Sequence, residues 1–128
     1  MTFYTKAVTF VASDILQKAQ EIRDYVVRVK REIHARPELG MKEHATTALV
    51  KSELADMGVE TVPLASDVGV LGIIRGEGAR PGTVSALRAD MDALPIQETA
   101  DVPDRSTIPG VMHACGHDCH TAMLLGAA

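Results

Sequence analysis

The sequence contains no tryptophan, and its aromatic residues are two Tyr and two Phe, 3% of the chain. A surface that stacks nucleobases needs several exposed rings, so that mode of binding is excluded. Neither sign of charge dominates: 13 Lys and Arg are interspersed with 17 Asp and Glu, for a formal net charge of −4. Without a basic stripe nothing tracks a phosphate backbone or an anionic lipid surface, and neither nucleic acid nor membrane is expected as a partner. Long apolar runs are missing too. The run AVTFVA behind Lys6 is too short to span a bilayer and poor as a secretory signal, so a cytoplasmic location is expected. Cysteine is scarce: Cys115 and Cys119 are the only two, spaced one residue wider than the redox CxxC. They make no disulfide scaffold and are read as free thiols or metal ligands.

What is present is an apolar share of 46% over 128 residues, enough for one small domain or a piece of a larger one. With so few rings, its core has to be built from Val, Ile, Leu, Ala and Met. From Ser13 or Asp14, either a good N-cap, the residues Ile15, Ala19, Ile22, Val26, Val29 and Ile33 recur at helical steps. That helix should end near Ala35, because Arg36 precedes Pro37 and is pushed out of the α region. PELG, residues 37–40, is then a turn. A second helix is expected from about Glu43 to Met57, with Gly58 leaving it in the left-handed conformation.

Beyond Gly58 the period changes. VGVLGII (Val68–Ile74) and TVSALRA (Thr83–Ala89) are short apolar runs on either side of the Gly-rich RGEGARPG, and they read as two neighbouring strands. The second ends in Asp90-Met91-Asp92, which places two carboxylates at the carboxyl end of a buried strand, where open α/β sheets bind their ligands. Residues 97–110 read as irregular loop. From Asp118, a plausible N-cap, a last helix begins.

The densest chemistry lies in HACGHDCH, residues 113–120, where three histidines, both cysteines and an aspartate share eight positions. Thiolate and imidazole suit zinc and similar transition metals, and Cys115-x-His117 on a loop lets two side chains converge on an ion. Gly110 and Gly116 permit the tight backbone path such a loop needs. His113, Asp118 and His120 would be further ligands, or groups that fix imidazole tautomers. Asp90 and Asp92, if buried, need a cation or hydrogen-bond donors to stay charged, and could serve the same site. His34 and Glu38 read as structural, the usual role of residues around a turn.

Three blocks in this order, REIHARPELG (31–40), RADMDALPIQE (88–98) and PGVMHACGHDCHTAMLLGAA (109–128), resemble the N-terminal part of the N-acyl-amino-acid amidohydrolases. That family includes hippurate hydrolases, aminoacylase-like enzymes and plant hydrolases of auxin conjugates, and is related to the binuclear metallo-carboxypeptidases. The resemblance implies an α/β catalytic domain, a three-layer mixed sheet flanked by helices, of which residues 1–128 are the N-terminal part. The lid domain, often the seat of dimerisation, and the rest of the catalytic domain would lie outside it.

The resemblance further implies two divalent ions per intact site, manganese or zinc, with nickel or cobalt as alternatives. Cys115 and His117 would be ligands, and Asp92 a supporting residue that orients the site. Asp90 stands where the wider clan carries a histidine ligand. Together with His113, Asp118 and His120 it is a candidate for supporting the ligands. The expected reaction is hydrolysis of the amide of a small N-acyl amino acid, with the general base, one of a Glu-Glu pair, and the remaining ligands outside these residues. The competing readings are an inactive metal-binding or interaction module of the same fold, and a thiol redox protein using Cys115 and Cys119.

Overall fold

The computed structural model describes residues 14–76 and 82–128. Ser13, the AVTFVA run and part of the RGEGARPG loop lie outside them. Helical residues 14–21 lead through a turn at Ile22 into α1, Arg23–Ala35. The apolar stripe predicted for one long helix is buried only in α1, where Val29 and Ile33 are inside; Ile15 and Leu16 are exposed. The helix stops where expected, with Arg36 at φ −130° and ψ 60°, outside the α region that the following proline disfavours.

Helix α2, His44–Asp56, ends in a Schellman motif. Gly58 has a φ of 73°, its N–H donates to the Ala55 carbonyl, and the Val59 N–H reaches back to Leu54. Its start is capped from outside the helix. Glu38, in the PELG turn, accepts from the backbone N–H groups of Ala45 and Thr46 at 3.0 and 2.8 Å and from the Thr46 hydroxyl at 2.9 Å. These bonds satisfy donors that a helix start leaves free.

The sheet among the described residues is one antiparallel pair. β1, Glu60–Val62, pairs with β2, Leu71–Ile73, in the register Glu60 to Ile73 and Val62 to Leu71. β2 falls inside the predicted VGVLGII strand, but its partner is β1, which the apolar pattern did not mark. Thr83–Ala89 is not a strand here. It makes no ladder with any described residue, and Val84 and Leu87 point outward, 91% and 76% exposed. An apolar run becomes a strand only when another backbone offers it hydrogen bonds, and no described backbone does so for Thr83–Ala89.

Helix α3, His117–Ala127, packs chiefly on α1 and touches α2. The core is the meeting of the three helices: Val29 and Ile33 of α1, Val50 and Leu54 of α2, and Ala122 and Leu125 of α3. Leu39 of the PELG turn forms a parallel bridge to Ala93, and Leu94 an antiparallel one to Met112. The three sequence blocks are thereby laid side by side at the start of α3.

Candidate metal-binding site

The HACGHD loop turns into α3 at Gly116, which occupies the N-cap position with φ 87°. A side chain there would be strained, and so would one at Gly110, φ 73°. The two glycines are used as the sequence suggested. The helix starts two residues earlier than predicted, with its N-cap at Gly116 in place of Asp118, so Asp118 lies inside the first turn.

His117 is held on one side. Its Nδ1 lies 2.9 Å from Asp92 Oδ1 and 3.0 Å from the Asp92 carbonyl oxygen. Both are acceptors, so Nδ1 carries the proton and Nε2 keeps its lone pair for a ligand-binding role. Asp92 is held against the PELG turn. The Ala93 N–H donates to the Glu38 carbonyl at 2.7 Å, and a Cβ on Gly40 would sit 3.8 Å from that of Asp92.

Cys115 is exposed and free. The His120 ring lies 5.4 Å from that of His117, centroid to centroid, on the exposed face of α3. Asp90 faces elsewhere: its carboxylate pairs with Arg88, and its carbonyl accepts from the Thr121 hydroxyl at 3.0 Å. The expectation of two carboxylates at a central strand end is therefore corrected on two counts. The preceding run is unpaired, and of the two only Asp92 reaches the loop.

The remaining members of the cluster are buried. Asp118, 1% exposed, accepts from His34 Nδ1 at 2.7 Å and lies 3.8 Å from Lys30 Nζ. His34 Nε2 stands 3.2 Å from Glu98 Oε1, and the second Glu98 oxygen accepts the Ser106 N–H. That backbone bond, against the penalty of burial and with His34 adding to it, holds Glu98 below the usual carboxylate range. Lys30 also grips Asp104 at 2.9 Å and lowers it in the same way. His113 is buried with both ring nitrogens unpartnered, and burial pushes it below the usual imidazole range although Asp118 pulls the other way. Burial, with Asp118 beside it, pushes the Cys119 thiol up. A thiol raised in this way is a poor redox nucleophile, which weighs against the Cys115/Cys119 redox reading.

His34 and Glu98 were not singled out for this site by the sequence, which offered only one signal: both sit inside the quoted blocks. Among the described residues, no three His, Cys, Asp or Glu side chains gather closely enough to hold a metal ion. The donor chemistry of Cys115 and His117 nevertheless fits a transition metal, with Nε2 free and the tautomer fixed by Asp92.

Residues 86–128 match the sequence profile of Peptidase family M20/M25/M40. Over this stretch the chain is similar to the M20 peptidases. The chain is similar to thermostable carboxypeptidase 2 of Saccharolobus solfataricus, 48% identical over 120 residues that cover 90% of this chain and 30% of that protein. It is also similar to IAA-amino acid hydrolase ILR1-like 5 of Arabidopsis thaliana, 52% identical over 113 residues, 88% of this chain and 25% of that one. Among solved structures, the YXEP protein of Bacillus subtilis, described as a dinuclear metal binding peptidase from the M20 family, superposes with a TM-score of 0.78 at 37% identity. The overlap covers 83% of this chain and 29% of that one. The α/β fold class and the family resemblance are thus those expected, and the chain spans 25% to 30% of the length of these relatives. No helix among the described residues is long and apolar enough to cross a membrane.

Proposed function

We propose that the protein carrying this chain hydrolyses the amide bond of N-acyl amino acids of the hippurate type, in the cytoplasm, with two divalent ions such as manganese or zinc. The observation that carries the reading is the Asp92 carboxylate on His117 Nδ1, which leaves Nε2 as the ring nitrogen with a lone pair, two residues from the exposed Cys115. A carboxylate behind a histidine is the usual support for a metal-binding imidazole.

Divalent ions, when bound, lower the pKa of a water and polarise the scissile carbonyl. The work of this chain's own residues is narrower. Cys115 and His117 donate as ligands, and Asp92 keeps the His117 tautomer. Asp118 and His113 lie beneath, on the buried side of the same loop. Amide hydrolysis also needs a base to take a proton from water and return it to the leaving amine. No Glu-Glu pair occurs in the 128 residues to supply one.

The names of two relatives support the substrate class: one is named a carboxypeptidase and another a hydrolase of IAA-amino acids. Both names describe cleavage of an amide beside an amino acid. The second reading is a metal-binding module without turnover, which would keep Cys115 and His117 as donors and have no base beside them.

Two assays separate them. The protein carrying this chain, loaded with manganese or zinc, is expected to release benzoate from hippurate or acetate from N-acetyl amino acids, and to lose that activity in Cys115→Ser. Metal uptake without turnover on either substrate class would leave the module reading. The 128-residue stretch by itself should be inactive, since loss of the base alone costs about a hundredfold to ten-thousandfold. Metal-dependent turnover by it that vanishes in Cys115→Ser would contradict the placement of only part of the site on this stretch.

A further inference from the structure

The buried side of the α3 start holds a set of groups that the reading above does not use. Asp118 follows His117 directly and is fully enclosed. Its Oδ2 meets His34 Nδ1 at 2.7 Å; His34 Nε2 meets Glu98; Glu98 is tied to the Ser106 N–H. The contacts run from α3 through the end of α1 to the loop at residues 98–106.

Three enclosed ionisable groups are a poor way to stabilise a core. Their desolvation offsets much of their mutual attraction, and well-packed apolar residues do at least as well. What such a set provides is direction. Successive residues on a helix point about 100° apart, so anchoring Asp118 inward on His34 turns His117 to another side, where Asp92 receives its Nδ1. No side chain caps this helix start, because the N-cap position is Gly116. The first turn is gripped by two histidine–carboxylate bonds of opposite sense, one buried and one part-buried.

We propose that His34 is a positioning residue: by gripping Asp118 it fixes the rotation of the first turn of α3, so that His117 gives Nδ1 to Asp92 and presents Nε2 outward. The consequence for metal binding rests on the reading of His117 as a ligand. The orientation itself does not, and it is measurable in metal-free protein.

Two variants divide the contacts of His34. Asparagine places an amide N–H near the position of Nδ1, and glutamine places one near Nε2. His34→Asn therefore keeps the bond to Asp118, whereas His34→Gln keeps only the one to Glu98. Ring-nitrogen NMR of protein labelled with 15N-histidine, at alkaline pH and without metal, reads the tautomer; His117 is assigned by its loss in His117→Gln. The unsubstituted protein and His34→Asn should show His117 as the Nδ1–H form, and His34→Gln a mixture with the Nε2–H form.

A cohesive but non-directional network would disturb both variants alike; that result, or no change in either, overturns the proposal. If His34→Gln does not fold, Asp118→Asn is read instead, with a mixture expected and an unchanged Nδ1–H form contradicting it. Zinc affinity in the same proteins answers the separate question. It should fall about ten- to a hundredfold in His34→Gln. An unsubstituted protein with the predicted tautomer but no zinc affinity would refute the ligand reading and leave the positioning role standing.

Discussion

His117 Nδ1 lies 2.9 Å from a carboxylate oxygen of Asp92 and 3.0 Å from the carbonyl oxygen of the same residue. One residue thus offers two acceptors to one ring nitrogen, and the tautomer of His117 is decided by a neighbour 25 positions earlier in the chain. Removing that carboxylate should cost metal affinity more than it costs folding. Asp92→Ala is expected to weaken zinc binding about ten- to a hundredfold, read by competition with a chelator. Asp92→Asn, whose amide oxygen still accepts, should lose less. Equal affinities in all three proteins would show that Asp92 does not support the site.

Glu38 carries a pH-dependent share of the stability. Burial pushes its carboxyl up, but the Ala45 and Thr46 N–H groups and the Thr46 hydroxyl outweigh that and hold it below the usual glutamate range. A folded-state value below the unfolded one means stability that is fully present above the unfolded value and lost as the pH falls through the folded one. Glu38→Gln should therefore be less stable at neutral pH, by about 0.5–2 kcal/mol on the scale of a helix cap. It should also lose less stability than the unsubstituted protein on acidification through the carboxylate range. Denaturant midpoints across that range check both; parallel curves would contradict the capping role.

Gly126 sets how closely α3 approaches the start of α1. A Cβ there would lie 2.6 Å from Val26 Cγ2 and 3.1 Å from Ile22 Cδ1. Alanine is the better helix former by about 1 kcal/mol, yet the crowding of a packed contact costs about 1–3 kcal/mol. Gly126→Ala should thus be neutral to destabilising in thermal melting. A clear rise in melting temperature would show that the two helices part at no cost.

Much of this was legible in the sequence where a local rule decides the outcome. Pro37 ended α1, Gly58 ended α2 in the left-handed conformation, and the glycines of the HACGHD loop took positive φ values as expected. The family resemblance was legible from three blocks of side chains in a fixed order.

Pairing between distant segments was not legible. VGVLGII and TVSALRA looked like neighbours because both are short and apolar, but hydrogen bonding gave β2 the more polar Glu60–Val62 as its partner. The shift of Asp118 from cap to buried acceptor had the same origin. His34, 84 positions away, competes for its carboxylate, and no window along the chain shows that. His34 and Glu98 look like ordinary polar residues beside turns until the fold brings them together.

The central claim is that Cys115 and His117 donate to one metal ion, and cobalt tests it most directly. A thiolate bound to Co(II) gives a charge-transfer absorption in the near ultraviolet that an oxygen- or nitrogen-only site lacks. Titration of the protein carrying this chain should develop that band. It should vanish in Cys115→Ser, weaken sharply in His117→Ala and persist in Cys119→Ser. A band that survives in Cys115→Ser, or that disappears only in Cys119→Ser, would contradict the account.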